Sequence, residues 1–262
     1  MNQLEVLRES LGQCDEIVLD ALLMRNRIVE DIMAYKEAND IPILQPEQEA
    51  KQKEWLERRM TDRRHKAEVE DVFGSITQNS KKIQARKLFN YNIVLIGFMG
   101  AGKSTISDFL RTVFAMEVVE MDQIIAEREG MSISDIFETY GEQYFRDLET
   151  NLLIEMQSRS NVVISCGGGT PMRECNVVEM KKNGRVVLLT AKPETILDRV
   201  KNNHDRPLIE NNKTVPFIAD LMEKRRAKYE AAADIIIETD GKNELEICEE
   251  LVHRLRTMDE EK

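Results

Sequence analysis

The stretch IGFMGAGKST, residues Ile96–Thr105, decides the fold of the larger part of this 262-residue chain. It fits the pattern G-x-x-x-x-G-K-[ST], and it directly follows the short apolar run Ile93–Ile96, which is typical of a buried strand. Glycines in such a loop let backbone N–H groups turn toward phosphate oxygens at the start of a helix. The residues predicted to bind the phosphates of a nucleoside triphosphate are Gly100, Ala101, Gly102, Lys103, Ser104 and Thr105.

Further short apolar runs follow the loop, and helical stretches separate them. The runs are Val118–Val119, Val162–Ser165, Val186–Leu189 and Ile235–Ile237. Strands that alternate with helices predict a parallel sheet flanked by helices. The chain from residue 91 to residue 262 is therefore predicted to be an α/β domain.

In the first ninety residues the apolar side chains recur at a different spacing. From Leu4 to Asn39, apolar residues recur in alternating steps of three and four, and no proline interrupts them. This spacing predicts one amphipathic helix of about 36 residues, roughly 54 Å long. A helix of that length with a coiled-coil-like seam usually pairs with a helix of another chain. We therefore expect a homodimer.

Two more helices are expected after the break at Pro42 and Pro46. One begins at about Glu47, and the next runs from about Thr61 to Leu88. The side chains of the third helix that are predicted to face inward are Val69, Val72, Phe73 and Ile76. No Gly-, Pro- or Ser-rich linker precedes the first strand, so an all-α domain of residues 1–90 should lead almost directly into the α/β domain of residues 91–262.

Composition excludes several classes of protein. The formal net charge is −11 and neither part of the chain has a basic excess, which argues against nucleic-acid binding. The longest apolar run is too short to cross a bilayer, and MNQLEVLRES lacks the features of a secretory signal. The four scattered cysteines predict neither disulfides nor a zinc site, and they favour a reducing cytoplasm.

Acidic and basic side chains follow the predicted strands. Glu120 and Asp122 come at the end of the second strand, where one carboxylate can join Ser104 in holding Mg²⁺ and the other can meet a substrate hydroxyl. In GEQYFRDLE, Arg146 and Glu149 lie on one helical face. The remaining candidate elements are the glycine run CGGGT (Cys166–Thr170), the loop Arg206–Leu208 and Arg225 on a late helix.

Together and in this order, GFMGAGKST, the acidic pair, GEQYFR, CGGGT, DRPL and the run Lys224–Tyr229 resemble the shikimate kinases over residues 92–255. The resemblance implies ATP and Mg²⁺ as cofactors. It implies that Asp122, Arg146, Gly168 and Arg225 bind shikimate, with Asp122 orienting or deprotonating the accepting hydroxyl. Arg206 would reach the ATP phosphates, and Lys242 would lie near the adenine. The chain departs from the family at Glu120, where aspartate is usual.

The long first helix carries charge on its apolar seam. Arg25 falls on the seam, and Lys36 lies within about 20° of the same face, roughly 16 Å further on. An arginine on an apolar face is costly unless an anion meets it. Arg8 lies about 100° off that line, so it would share a pocket with Arg25 more readily from a partner chain. On the third helix, Ser80 and Gln84 continue an apolar face with polar groups.

With Leu7-Arg8-Glu9, Asp15 and Arg25 in the family's opening order, residues 4–88 resemble the all-helical chorismate mutases, which are intertwined dimers. The resemblance assigns Arg25, partner-chain Arg8 and Ser80 to the substrate carboxylates. It also assigns Lys36 and Gln84 to the ether oxygen and Glu49 to the ring hydroxyl. No cofactor is implied, because the enzyme holds a compact conformer and stabilises negative charge on the ether oxygen.

The helical part departs from that family at the start of its second helix. The family commonly has Asp-Pro-x-Arg-Glu there, and this chain has Gln45-Pro46-Glu47-Gln48-Glu49. Loss of an arginine from an anion pocket costs on the order of 2–4 kcal/mol of transition-state stabilisation. This favours an alternative in which the helical domain is a non-catalytic module for dimerisation or effector binding.

The sequence thus predicts a bifunctional enzyme of aromatic amino-acid biosynthesis. It would phosphorylate shikimate with ATP and rearrange chorismate to prephenate. A kinase for another small polyol or acid remains a further alternative, although Arg146, Gly168 and Arg225 together suit a carboxylated ring.

Overall fold

The computed structural model describes residues 2–39, 41–201 and 214–260. The chain divides into two compact units, Met1–Lys87 and Leu88–Lys262, called here the helical unit and the sheet unit. The predicted phosphate-binding residue Arg206 lies outside the described residues. Within the described ranges, no helix combines the length and the apolarity needed to cross a membrane.

The helical unit contains three helices, as the periodicity predicts. They are α1 (Gln3–Ala38), α2 (Pro46–Arg59) and α3 (Lys66–Leu88). A capping box starts α1: the Asn2 side chain accepts a hydrogen bond from the Glu5 backbone N–H at 2.9 Å, and the Glu5 carboxylate accepts one from the Asn2 N–H at 2.8 Å. This reciprocal cap satisfies backbone donors that the first turn leaves open.

Two expectations for α3 are wrong. The helix begins at Lys66 rather than at Thr61, because the Asp62 carboxylate accepts hydrogen bonds from the backbone and side chain of Arg64 and stabilises a turn there. Short polar side chains often compete with helix in this way. Val72 does not face inward within the protomer, since it is 57 % exposed. It lies one turn before the half-buried Ile76, only about 40° away around α3, but nearer the exposed end of that face.

The helical unit buries little apolar surface by itself. Its buried apolar residues are Val29, Met33, Ile43, Leu44 and Ala85. Apolar side chains along α1 remain exposed, among them Leu4, Leu7, Leu11, Val18, Ile28 and Ile32. A soluble chain seldom leaves so continuous an apolar face without a partner. The seam that the sequence pattern identified on α1 is therefore not covered within one protomer.

The sheet unit is built on a five-stranded parallel sheet, as predicted. Its strands are β1 (Asn92–Ile96), β2 (Glu117–Glu120), β3 (Val162–Ser165), β4 (Gly184–Thr190) and β5 (Ile235–Glu238). The surrounding helices are α4 (Lys103–Phe114), α5 (Met121–Glu129), α6 (Ile133–Met156), α7 (Glu174–Lys182), α8 (Pro193–Val200), α9 (Val215–Ala232) and α10 (Glu244–Glu260). A short 3₁₀ turn, Thr170–Met172, follows β3.

The strand order is β2-β3-β1-β4-β5, so β3 lies between β1 and β2. Val94 of β1 pairs with Ile164 of β3 on one side and with Val186 of β4 on the other. All five residues of β1 are buried, because helices cover both faces of a parallel sheet. The carboxyl ends of β1, β2 and β3 meet at one edge, which is where such sheets bind ligands.

Candidate active sites

The loop after β1 wraps around the start of α4. Gly102 is the N-cap of α4 and has a φ of 103°, and Gly100 has a φ of 77°. A Cβ at Gly100 would also come within 2.8 Å of the Val200 side chain, so both the backbone angle and the space require glycine there. The loop therefore presents backbone N–H groups and the N-terminus of α4 to one point in space.

Lys103 and Ser104, the first residues of α4, contact the loop after β1 and the end of β2, respectively. Lys103 Nζ donates to the carbonyl oxygens of Gly97 and Phe98, at 2.9 and 3.2 Å. The Ser104 hydroxyl donates to one Glu120 carboxylate oxygen at 3.3 Å, and the Ser107 hydroxyl donates to the other at 2.6 Å. The structure thus brings together Ser104 and Glu120, the two residues predicted to hold Mg²⁺.

Arg146 on α6 is fixed by carboxylates on its own helix. Its Nη1 donates to Glu149 at 2.8 Å and its Nη2 donates to Glu142 at 2.9 Å. The Glu149 side chain is fully buried, and it also accepts a hydrogen bond from the Thr170 hydroxyl. Burial raises the pKa of Glu149, although Arg146 and Thr170 oppose that shift. The guanidinium is therefore held in one orientation before any ligand binds.

The glycine run after β3 makes room for protein side chains. A Cβ at Gly167 would lie 2.6 Å from Asp122 Oδ1, and a Cβ at Gly169 would overlap the guanidinium of Arg146. The sequence pattern predicted close approach of a ligand to this backbone. The structure adds a further reason for glycine, since it lets Asp122 and Arg146 converge beside the strand end.

Arg225 and Tyr229 on α9 contact the backbone of the glycine run. The carbonyl oxygen of Gly168 accepts hydrogen bonds from Arg225 Nη1 at 3.2 Å and from the Tyr229 hydroxyl at 2.7 Å. Burial raises the pKa of Tyr229, so the phenol stays a neutral donor. Tyr229 was part of the motif but carried no predicted role.

One cavity of about 880 Å³ opens at the carboxyl edge of the sheet. Seven predicted residues border it: Lys103, Ser104, Glu120, Asp122, Arg146, Gly168 and Arg225. Aromatic side chains of α6, Phe137 and Phe145, form an apolar part of its wall. A wall that combines cations, carboxylates and one apolar surface suits a small, anionic ring compound next to a phosphate site.

Cys166 also lines the cavity, but it is not a nucleophile. It is buried, and burial raises the pKa of its thiol well above the ordinary value. The thiol is therefore protonated near neutral pH and serves as a small apolar group.

Two basic residues lie near the site without belonging to the predicted set that lines the cavity. Lys242 lies outside the cavity wall and pairs with Glu250 at 2.6 Å, so its place near an adenine stays a prediction. Arg199 on α8 was not predicted, yet its Nη1 donates to the Gly100 carbonyl at 3.1 Å and to the Thr239 hydroxyl at 3.0 Å. It connects the phosphate loop to the end of β5, a contact between distant segments that no local pattern indicates.

In the helical unit, the charged residues form contacts between helices. Arg25 of α1 donates a hydrogen bond to the Ser80 hydroxyl of α3, and Ser80 in turn donates to the Ile76 carbonyl at 3.0 Å. Burial lowers the pKa of Arg25 below its ordinary value, a direct consequence of desolvation. The structure therefore brings together two of the residues predicted to bind substrate carboxylates.

Lys36 is buried near the end of α1, where it is 9 % exposed. Its Nζ donates to the Ile43 carbonyl at 2.8 Å, and burial lowers its pKa. Gln84 lies one turn after Ser80 on α3 and is half-buried. Lys36 is thus a desolvated cation next to the segment that connects α1 to α2. A bound anion would stabilise its positive charge.

Arg8 does not join Arg25 within the protomer. Both residues lie on the single helix α1, and about 25 Å of helix separates them at 1.5 Å per residue. Arg8 is exposed. A site that contains both residues therefore requires Arg8 from a second chain, which agrees with the uncovered apolar face of α1.

Glu49 of α2 meets Lys81 of α3 rather than a neighbour on its own helix. The distance between Lys81 Nζ and Glu49 Oε1 is 2.8 Å, and Lys81 is 8 % exposed. Gln45 and Gln48, which replace charged residues of the motif, are both exposed. Lys81 carried no predicted role, because a lysine in a run of polar residues on a helix is usually a solvated side chain.

The chain is similar to two protein families. The family described as Shikimate kinase matches residues 99–256, and the family described as Chorismate mutase type II matches residues 7–85. Among curated proteins, shikimate kinases of Persephonella marina and Dehalococcoides mccartyi are each 42 % identical over 165 residues. These alignments cover 63 % of this chain and 99 % and 93 % of the relatives.

Solved structures give the same result for the sheet unit. The shikimate kinase of Acinetobacter baumannii in complex with shikimate is 32 % identical, with a TM-score of 0.59, and the match covers 66 % of this chain and 96 % of that one. The shikimate kinase of Aquifex aeolicus is 35 % identical, with a TM-score of 0.56, over 64 % of this chain and 98 % of that one.

Proposed function

Because the chain belongs to the shikimate kinase family and also carries a chorismate mutase type II domain, we propose that it catalyses both reactions of these families. We assign the mutase to residues 1–90 and the kinase to residues 91–262. Both reactions belong to aromatic amino-acid biosynthesis. The kinase would transfer the terminal phosphoryl group of ATP to a hydroxyl of shikimate. The mutase would convert chorismate to prephenate.

One observation carries the kinase proposal: the phosphate loop and two arginines open into the same cavity. Arg225 contacts the Gly168 carbonyl and the Arg146 guanidinium fills the space beside Gly169, so a carboxylate bound at the glycine run would meet two cations. Asp122 lies at the same run and can accept the proton of the attacking hydroxyl. The hydroxyl oxygen then bonds to phosphorus as the bond to the leaving ADP breaks.

The residues present fit ATP and Mg²⁺. Ser104 and Glu120 oxygens lie 3.3 Å apart, which suits two oxygen ligands of one small cation. Bound Mg²⁺ would neutralise phosphate charge during transfer. Lys103 and the loop N–H groups would hold the phosphates, and Arg206 is proposed to add a further positive charge.

A substrate panel tests the kinase. ADP formation is measured with shikimate and with gluconate, each with Mg²⁺ and after chelation by EDTA. We expect turnover with shikimate that depends on Mg²⁺, and little with gluconate because its open chain does not match two fixed arginines. Preference for gluconate would contradict the assignment of Arg146 and Arg225 to a ring carboxylate.

The mutase proposal rests on the charged contacts of the helical unit. Arg25 and Ser80 would bind carboxylates together with Arg8 of a partner subunit, and Lys36 and Gln84 would donate to the ether oxygen. The Glu49 carboxylate would accept a hydrogen bond from the ring hydroxyl. These donors would favour the compact conformer and the charge that develops in the transition state. Such a site is completed by dimerisation, so we propose a homodimer through α1, acting in the cytoplasm.

The neutral, exposed side chains of Gln45 and Gln48 favour a second candidate, a non-catalytic dimerisation or effector-binding module. Prephenate formation by the full-length chain separates the two. Turnover supports the mutase. Its absence in a protein that still phosphorylates shikimate would establish the non-catalytic module.

A further inference from the structure

Lys81 is the buried cation of the helical unit that the proposed mutase chemistry does not yet use. It lies on α3 next to Ser80, and it is as deeply buried as Ser80, each being 8 % exposed. Consecutive residues of a helix point about 100° apart, so α3 directs Ser80 toward α1 and Lys81 toward α2. The Lys81 ammonium ends 2.8 Å from the Glu49 carboxylate.

We propose that Lys81 is a positioning residue of the mutase site: it holds the Glu49 carboxylate and compensates its charge, in place of a cation at position 48. This inference rests on the proposed mutase function, in which Glu49 accepts the ring hydroxyl of the substrate.

The need for a compensating cation follows from charge. Chorismate carries two carboxylates, and Glu49, whose side chain is 50 % exposed within one protomer, would add a third negative charge once bound substrate covers it. Repulsion between like charges is strong where water is excluded. Position 48 holds glutamine and supplies no charge. A cation paired with Glu49 leaves a carboxylate oxygen free to accept the hydroxyl, since a carboxylate has several acceptor positions.

A purely structural clamp explains the burial of Lys81 less well. Helices α2 and α3 are already connected elsewhere along their length. The rings of Trp55 and Phe73 lie 6.2 Å apart, the Thr77 hydroxyl donates to Gln52 at 3.3 Å, and Lys66 pairs with Glu57 at 3.4 Å. A further contact between α2 and α3 would not require a lysine. Burying its ammonium removes water from a charge, and that desolvation is unfavourable.

A double-mutant cycle in the full-length chain tests the proposal. The variants are Lys81→Met, Lys81→Arg, Glu49→Gln and the double variant Lys81→Met/Glu49→Gln, with Lys82→Met at the exposed neighbouring position as the matched control. Prephenate formation gives kcat and KM for each variant. Shikimate phosphorylation by the same samples reports the concentration of folded sheet unit, and thermal unfolding reports the helical unit.

We expect Lys81→Met to lower kcat/KM about 10- to 100-fold. Lys81→Arg should restore most of that loss, and Lys82→Met should change it by less than about twofold. In the Glu49→Gln background, Lys81→Met should cost little more, because the two residues act as a unit. Thermal unfolding of Lys81→Arg should match that of the unsubstituted chain.

Four results would overturn the proposal. Equal losses from Lys81→Met in both backgrounds would mean that Lys81 acts independently of Glu49. An unchanged kcat/KM in Lys81→Met, or equal losses in Lys81→Met and Lys81→Arg, would leave no role for the ion pair. If the unsubstituted chain forms no prephenate, the proposed mutase function fails and this inference fails with it, whereas turnover with additive losses refutes Lys81 alone.

Discussion

The two units differ in what one protomer can complete. In the sheet unit, seven predicted residues from β2, α4, α5, α6, α9 and the loop after β3 line one cavity within a single chain. In the helical unit, Arg8 and Arg25 lie far apart on α1, and the apolar face of the same helix is exposed. A parallel sheet gathers its loops at one edge by its own topology, whereas a single long helix holds Arg8 and Arg25 too far apart to meet within one protomer.

Loss of phosphate binding should give the largest effect and separate the two activities. Lys103→Ala removes the ammonium at the phosphate loop, and we expect shikimate phosphorylation to fall by roughly 10³-fold or more. Prephenate formation should be unchanged, because its site lies in the other unit. Kinase and mutase assays on one sample measure both. Lys182→Ala, an exposed lysine on α7, is the control, and a parallel loss of mutase activity would contradict independent sites.

Arg25→Ala should be nearly as severe for the mutase. It removes a carboxylate-binding guanidinium, so prephenate formation should fall about 10²- to 10³-fold while shikimate phosphorylation is kept. Arg27→Ala, an exposed neighbour, should have little effect. Both rates are measured on each variant.

A subunit-mixing experiment sharpens this prediction. When Arg8→Ala and Arg25→Ala chains are unfolded, mixed in equal amounts and refolded, each mixed dimer regains one site with both arginines. Random pairing then restores activity at about a quarter of all sites. A mixture as inactive as its parents would place Arg8 outside the site of the partner subunit.

A charge on the exposed face of α1 should break the dimer. Leu11 is 61 % exposed on the seam, and Leu11→Glu would place a carboxylate in the proposed interface. We expect a shift from dimer to monomer in analytical ultracentrifugation, loss of mutase activity, and kinase activity within about twofold of the unsubstituted chain. Gln13→Glu changes the charge equally off the seam and should remain dimeric. A dimeric Leu11→Glu protein would locate the interface elsewhere.

The pH dependence of the mutase should show the smallest effect. Burial lowers the pKa of Lys36, so its positive charge is present below that pKa and is lost as pH rises through it. The value of kcat/KM for chorismate should therefore decline on the alkaline side at a lower pH than for an ordinary lysine. Lys36→Arg should move the decline upward, because arginine stays charged. An unmoved alkaline limb would exclude Lys36 as the titrating group.

Local sequence was most informative where a short motif forms a short structure. The run Ile93–Ile96 followed by the glycine loop predicted β1, the loop and the start of α4, because strand, turn and helix are neighbours in the chain. Arg146 and Glu149 were predicted on one face of α6, and in the structure they form an ion pair in which Glu149 is buried. Periodicity likewise predicted α1 almost to its ends.

Contacts between distant segments were not predicted from the sequence. Arg199 reaches the phosphate loop only because α8 packs against that loop at Gly100, and Gly169 must lack a side chain because Arg146 occupies that space. The sequence alone predicts Lys81 to be a surface lysine, and only the packing of α2 against α3 brings it next to Glu49. The late start of α3 was not predicted either. It depends on the Asp62 side chain, which accepts a hydrogen bond from the Arg64 backbone before the helix begins, and the spacing of apolar residues carries no information about that contact.

The sequence by itself determined the two fold classes, the phosphate loop and most candidate ligands, since these depend on periodicity and on residue types at fixed spacing. The tertiary structure alone decided which side chains meet: Glu120 with Ser104 and Ser107, the Gly168 carbonyl with Arg225 and Tyr229, and Glu49 with Lys81. The physical reason is that propensity and amphipathicity act along the chain, whereas ion pairs, burial and pKa shifts arise only when separate elements exclude water from the space between them.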